Sequence, residues 1–207
     1  MLYQSLIFDI DGTLWDSRAL VAEGYNRQLR REGLERFSVT ADGLRPLFGK
    51  PLPEIAEALF VDLPKAQRVA LIDRCTLSQN QLLHEDPCRI GYPQVLETIR
   101  ALSQKYRLFI VSNSNQGYPE LCMEKLGLTP YIEDHLCYGD TGTSKGRTIR
   151  TLMEKNHIEN AAYVGDTQGD YEATLEAQIP FIWASYGFGC PQGYAHRIED
   201  LSQLLRL

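Results

Sequence analysis

Two aspartates spaced by two, Asp9 and Asp11, close an apolar run in "LIFDIDGTLWDS" (6–17), with Gly12 and Thr13 directly behind them. On an extended chain residues i and i+2 point to the same face. The two carboxylates are therefore neighbours if the strand persists that far. Like charges about 4 Å apart repel by roughly 4 kcal/mol at intermediate dielectric. A cation, a shared proton or a turn that parts the pair has to offset this. Further polar residues stand behind other apolar runs: Ser112 and Asn113 after "YRLFIV", and Asp166 and Asp170 in "GDTQGD". Lys145 stands at the entry to a helical segment.

Each residue alone has a plain reading, since a strand-end Asp is commonly a turn or helix-cap residue. Together they describe phosphoryl chemistry. Clustered carboxylates favour a hard divalent cation with oxygen ligands, and magnesium is the usual partner of phosphate substrates. A carboxylate can also serve as a covalent nucleophile. Phosphoryl transfer needs its equatorial oxygens neutralised. Lys145, the Ser112 hydroxyl, backbone amides and the metal have the chemistry for it. A second acid near the leaving oxygen contributes about 10²–10⁴ in rate by protonating it.

The elements that must position these groups are legible as alternating segments. Five apolar runs read as strands: "YQSLIFDI", "YRLFIVSN", "HLCYGD", "AAYVGD" and "PFIWASY". Several are continuously apolar, as strands covered on both faces are. Helical segments at 92–106, 118–128, 145–158 and 170–179 separate them. This alternation implies crossover connections and an α/β fold with a Rossmann-like open parallel sheet of five strands flanked by helices. Ligands of such sheets bind at the carboxyl ends of the strands, where the polar residues stand.

Residues 17–86 contain no good strand. Val21, Tyr25 and Leu29 recur at helical spacing with Gly33 as a stop, and Thr40 is placed to cap a short helix. "PEIAEALF" reads as a third helix. A long fourth follows, "PKAQRVALIDRCTLSQNQLLHE", with Val69, Ile72, Thr76 and Leu83 on one face. The expected organisation is a core of residues 1–16 and 87–207 and an inserted helical domain of residues 17–86.

"DIDGT" after the first strand, "SN" after the second, a lysine before a helix and "GDTQGD" after the fourth resemble the four motifs of the haloacid dehalogenase-like hydrolases. Order and strand context match across nearly the whole chain. The insertion resembles a C1-type cap, and the pattern is similar to phosphoglycolate phosphatase-like and β-phosphoglucomutase-like members. The resemblance implies that Asp9 is the nucleophile, forming an aspartyl phosphate, and that Asp11 is the general acid and then the base. It implies a Mg²⁺ ion held by carboxylates of Asp9 and Asp166 and the backbone carbonyl of Asp11, with Asp170 outside them. Thr13, Ser112 and Asn113 would bind the phosphoryl group, and Lys145 would neutralise it and Asp9. Many phosphoglycolate phosphatase-like members have Lys-Pro at the third motif, whereas Gly146 follows Lys145 here.

The implied function is a magnesium-dependent phosphatase acting on a small phosphorylated metabolite. A sugar phosphomutase of the same fold is the alternative, ahead of a dehalogenase or a non-catalytic binding protein. In the insertion, Lys50 and Arg45 of "ADGLRPLFGKPLPEI" are candidates to meet a second anionic group on the substrate, or ordinary surface cations. Lys155 is a second lysine for the third motif, read as a surface residue. The glycines of "SYGFGCPQG" are expected to form a tight turn near the pocket.

Other classes are excluded on composition. The net charge of −6, with no long run of either sign, gives no electrostatic support to nucleic-acid binding. No apolar stretch approaches the ~20 residues that span a membrane. Five cysteines, an odd number without a CxxC, read as free thiols in a reducing, cytoplasmic setting. No phosphate-binding P-loop, HExxH or GxSxG occurs, and Cys190 and Arg197 miss the spacing of cysteine phosphatases. Monomer and homodimer are not distinguished.

Overall fold

The structure, a computed structural model, describes residues 3–87 and 90–207. The chain divides into two compact units, residues 1–16 with 90–207, and residues 17–89.

The first unit is built on a parallel sheet. Its strands are β1 (Ser5–Phe8), β2 (Arg107–Ser112), β3 (Asp134–Cys137), β4 (Ala161–Gly165), β5 (Phe181–Ala184) and β6 (His196–Ile198). Their order is β3-β2-β1-β4-β5-β6, and every neighbouring pair is parallel. All four residues of β1 and all five of β4 are buried, because helices cover both faces. Ile7, Phe109, Val111 and Tyr163 form one side of a core closed by Ile149 and Leu152 of α8 (Lys145–Lys155) and by Ala173 and Ala177 of α9 (Gln168–Ala177).

The sheet has one strand more than the sequence reading gave. β6 is three residues long and has a single buried residue, Ile198, so it carries no apolar run. The run "HLCYGD" also ends early as a strand. The Asp140 carboxylate accepts from the Cys137 N–H (2.8 Å) and caps the helical turn α7 (Tyr138–Thr141).

The second unit is helical: α1 (Arg18–Arg31), α2 (Ala41–Leu44), α3 (Leu52–Leu59) and α4 (Lys65–Glu85). Thr40 caps α2 through its hydroxyl, which accepts from the Gly43 N–H (3.0 Å). Its core joins Val21, Tyr25 and Leu29 of α1 to Leu71, Ile72 and Cys75 of α4. Ile72, Thr76 and Leu83 of α4 are buried as the spacing predicts, while Val69 is exposed and Leu71 and Cys75 extend the buried face to one side. Cys88 lies outside the described residues; Cys75, Cys122, Cys137 and Cys190 are free thiols. No described helix is long and apolar enough to cross a membrane.

The remaining helices of the first unit are α5 (Val95–Leu102) and α6 (Tyr118–Leu126). The segment leaving β1 and the segment returning at residue 90 pair with each other. The Asp16 N–H donates to the Ile90 carbonyl (2.8 Å), and the Tyr92 N–H to the Leu14 carbonyl (3.1 Å). This pairing fixes the loop after β1, where the candidate chemistry begins.

Candidate active site

The strand order reverses its direction of growth between β1 and β4, the point at which open α/β sheets leave a crevice for ligands. Asp9 and Asp166 stand at those two strand ends. Phe8 is in register with Val164, and the Asp9 N–H extends the pairing by donating to the Val164 carbonyl (2.8 Å). Beyond Asp9 the chain turns. The Thr13 and Leu14 N–H groups both donate to the Ile10 carbonyl (3.2 and 2.8 Å), and Gly12 has φ +83°. The two aspartates are thereby sent to different partners. Asp9 Oδ1 accepts from Lys145 Nζ (2.9 Å). Asp11 Oδ1 accepts from Trp15 Nε1 (2.9 Å) and from the Tyr118 hydroxyl (2.8 Å). A turn and a cation together answer the repulsion that the spacing raised.

Lys145 is the first residue of α8, whose N-cap Ser144 accepts from the Arg147 N–H (3.4 Å). Its ammonium bridges Asp9 and Asp170 Oδ1 (2.6 Å), and the three side chains are at most 3% exposed. Asp170 Oδ2 accepts from the Asp166 and Thr167 N–H groups (3.1 and 2.9 Å) and from the Thr167 hydroxyl (2.8 Å). This completes a capping box at the start of α9. Both Asp170 oxygens are thus committed to protein donors. Asp166 differs: Oδ2 accepts from the Phe188 N–H (2.6 Å), while the buried Oδ1 has no hydrogen-bond partner.

The charges do not balance within the protein. Asp9, Asp166 and Asp170 offer oxygens within 4.8 Å of one another, against one ammonium. Burial pushes the Asp9 carboxyl up to about 7, although Lys145 pulls it down; the Asp11 charge is a lesser upward influence. Burial, with the neighbouring Asp170 and Asp9 charges, also pushes Asp166 well above the usual carboxylate range. Burial would raise Asp170 as well, but Lys145 and the Thr167 donors hold it below its ordinary value. Burial alone would lower Lys145, yet Asp170 and Asp9 raise it, so it stays an ammonium.

A hard cation fits this arrangement by donor type and by room. The orphaned Asp166 oxygen and the excess of buried carboxylate call for one. Two glycines let the backbone approach Asp166 closely, where any side chain would intrude on its carboxylate. A Cβ on Gly12 would lie 2.2 Å from Asp166 Oδ2, and one on Gly187 would lie 2.4 Å from Asp166 Cβ.

Ser112 ends β2, buried, and its Oγ accepts from the Ser114 N–H (3.3 Å); Asn113 follows, half-buried. Thr13 Oγ1 and Ser114 Oγ are buried hydroxyls without partners. Lys155 is an exposed residue paired with Asp134 (2.8 Å), a surface role. Lys50 and Arg45 are exposed residues of the helical unit, Arg45 opening a 3-10 turn and Lys50 two residues before α3.

Several contributors escaped the sequence reading. Trp15, Tyr118 and Ser114 carry no motif signal. Tyr186, whose hydroxyl donates to the Thr13 carbonyl (2.8 Å), and Phe188 lie in the glycine-rich segment after β5, where only a turn was expected. Gly146, the departure from Lys-Pro, has a packing reason. A Cβ there would lie 2.5 Å from Glu176 Oε2 and 2.8 Å from the Ala173 carbonyl, so glycine lets α8 approach α9.

The family model described as haloacid dehalogenase-like hydrolase matches residues 6–184, from β1 through β5. The chain belongs to that family. A phosphoglycolate phosphatase of Agrobacterium fabrum is 31% identical over 193 residues, covering 88% of this chain and 80% of that protein. The pyrophosphatase PpaX of Listeria innocua is 24% identical over 213 residues, covering 98% and 95%. Among solved structures, a haloacid dehalogenase-like family hydrolase of Streptococcus pneumoniae superposes with a TM-score of 0.79 at 20% identity, covering 99% of this chain and 97% of that one. The alternating α/β order, the open parallel sheet and membership of a hydrolase family are thus as the sequence indicated.

Proposed function

We propose that this hydrolase is a phosphatase that cleaves a small phosphomonoester in two steps through a phosphate ester on Asp9. The observation that carries the reading is the buried cluster of three carboxylates, two of them bridged by a single ammonium and the third with an oxygen left unpartnered. A site with so much uncompensated negative charge has a use for a cation and, with it, for an anionic substrate. The phosphatases among the relatives support the same reading.

Asp9 and Asp166 would hold magnesium, with the Asp11 backbone carbonyl as a further ligand and Asp170 orienting Lys145 and the loop after β4. When bound, the ion supplies positive charge that offsets the phosphoryl oxygens and the buried carboxylates. Lys145 opposes the effect of burial on Asp9 and favours its ionised, nucleophilic form. An Asp9 oxygen attacks phosphorus and the bond to the leaving oxygen breaks. Asp11 gives that oxygen a proton. Asp11 then takes a proton from water, the hydroxyl oxygen attacks phosphorus, and the bond to Asp9 breaks, releasing orthophosphate and restoring both acids. The Thr13 and Ser112 hydroxyls and the Asn113 amide bind the phosphoryl oxygens.

The helical unit, in this reading, is a cap that selects the substrate, and Lys50 meets an anionic group on its non-reacting part. Lys50→Ala should then raise KM for a metabolite with a second anionic group about tenfold, leaving a plain aryl phosphate within about twofold. Free thiols fit a cytoplasmic setting, and a small phosphorylated metabolite, neither nucleic acid nor membrane, is the partner. The test is a panel of phosphorylated metabolites assayed with magnesium and with excess chelator. Phosphate release that stops with chelator and returns with magnesium supports the proposal. Full turnover in chelator, or an isomeric product without free phosphate, overturns it.

A further inference from the structure

Asp11 is held by two aromatic side chains that belong to no motif. Trp15 Nε1 (2.9 Å) and the Tyr118 hydroxyl (2.8 Å) both donate to the same oxygen, Oδ1. Neither donor has freedom to wander. Trp15 is fully buried and Tyr118 is 2% exposed, and their rings pack edge to face with centroids 5.5 Å apart. The Trp15 backbone is fixed on both sides. Its N–H donates to Ile10 (3.3 Å), its carbonyl accepts from Gly12 (2.9 Å), and it forms bridges with Asp11 and Gly91. Tyr118 is the first residue of α6, set by the turn at Gly117.

We propose that Trp15 and Tyr118 are positioning residues that lock the Asp11 carboxyl so that Oδ2 is the oxygen that exchanges protons with substrate and water. Two donors on one oxygen occupy its acceptor directions. That pattern suits a carboxylate oxygen, and equally the carbonyl oxygen of a neutral acid, so the clamp holds through both steps while the proton resides on Oδ2. Fixing one oxygen with two rigid donors also fixes the carboxyl plane, and small misplacements of a reacting group are costly in rate. A buried tryptophan at Trp15 and a tyrosine at the first turn of α6 then serve more than packing. The proposal rests on the proton-transfer role given to Asp11 above.

Two measurements test it, one of them without substrate. The chain has two tryptophans, Trp15 and Trp183, so two indole N–H signals appear in a ¹⁵N spectrum, and Trp15→Phe assigns them by loss of one. The Trp15 signal should shift upfield in Asp11→Ala while the Trp183 signal stays; an unmoved Trp15 signal overturns the clamp. This result stands whether or not the protein proves to be a phosphatase. The second measurement compares kcat/KM, which reports phosphoryl transfer to Asp9, on an alkyl phosphate and on 4-nitrophenyl phosphate. Only the alkyl leaving group needs a well-placed proton. Tyr118→Phe keeps the ring and Trp15→Phe keeps an aromatic ring of smaller size; each removes one donor and should lower kcat/KM about tenfold more on the alkyl than on the aryl ester. Equal losses on both esters, as a merely structural role would give, or no loss on either, overturn it.

Discussion

Ion pairs occur in both units of this molecule, and they are built for different ends. In the helical unit Arg74 grips Glu32 through two nitrogens at 2.6 and 2.7 Å, with the arginine side chain 45% exposed. In the sheet unit Lys145 meets Asp9 and Asp170 at similar distances but with every partner buried. The exposed pair is balanced, one charge against one, and water solvates what is left over. The buried cluster carries three acids against one base and leaves an Asp166 oxygen unpartnered. Burying two charges is already expensive; burying an unbalanced set is a poor way to stabilise a fold. The sheet unit therefore tolerates strain in charge where the proposed chemistry requires it.

The largest effect should follow from removing the buried ammonium of Lys145. Lys145→Met keeps the stem but leaves Asp9 and Asp170 without their shared donor. Loss of one partner of a buried pair costs about 3–5 kcal/mol, so chemical denaturation should show a fall of that size and phosphate release should vanish. A variant as stable as the parent would mean that the cluster is already neutral.

The converse substitution should sharpen the contrast. Asp166→Asn removes the carboxylate that has an unpartnered oxygen and keeps an acceptor for the Phe188 N–H. Metal-free protein should gain about 1–3 kcal/mol in stability, while the added stability that magnesium gives the parent should disappear. A loss of stability in the metal-free variant would show that the parent's charge excess is compensated within the protein.

The exposed pair should matter least. Arg74→Ala should cost less than about 1 kcal/mol at neutral pH. Hydrogen bonding to Arg74 holds Glu32 below its ordinary value. A depressed acid stabilises the fold above its unfolded pKa, and that contribution is lost as pH falls through the folded value. The difference between parent and Arg74→Ala should therefore be fully present above about pH 4.5 and shrink below it. Thermal unfolding across that range reads it.

How much of this was legible in the sequence follows physical lines. The strands of the sheet centre announce themselves because burial on both faces demands continuous apolar runs, as in "LIF" of β1 and "AAYVG" of β4. β6 does not, since an edge strand with one inward residue has no such demand. Asp9, Lys145, Asp166 and Asp170 stood out because charged residues beside apolar runs are unusual, and the structure brings them together. Trp15 and Tyr118 were hidden for the opposite reason: an aromatic ring reads as core, and a single N–H or O–H at its tip leaves no trace in a pattern. Likewise the Phe188 N–H and the Ser114 hydroxyl depend on how loops fold back, which no periodicity records.

If Asp9 carries the phosphate, the ester can be trapped on it. Asp11→Asn protein is mixed with an activated aryl phosphate and magnesium, quenched in acid, digested and examined by mass spectrometry. The aryl leaving group needs little protonation, but the second step lacks its base, so phosphate should accumulate on the peptide that contains Asp9. The same peptide should stay unmodified in Asp9→Asn. Phosphate on a serine or histidine, or labelling of Asp9→Asn as heavy as that of the parent, would contradict the account.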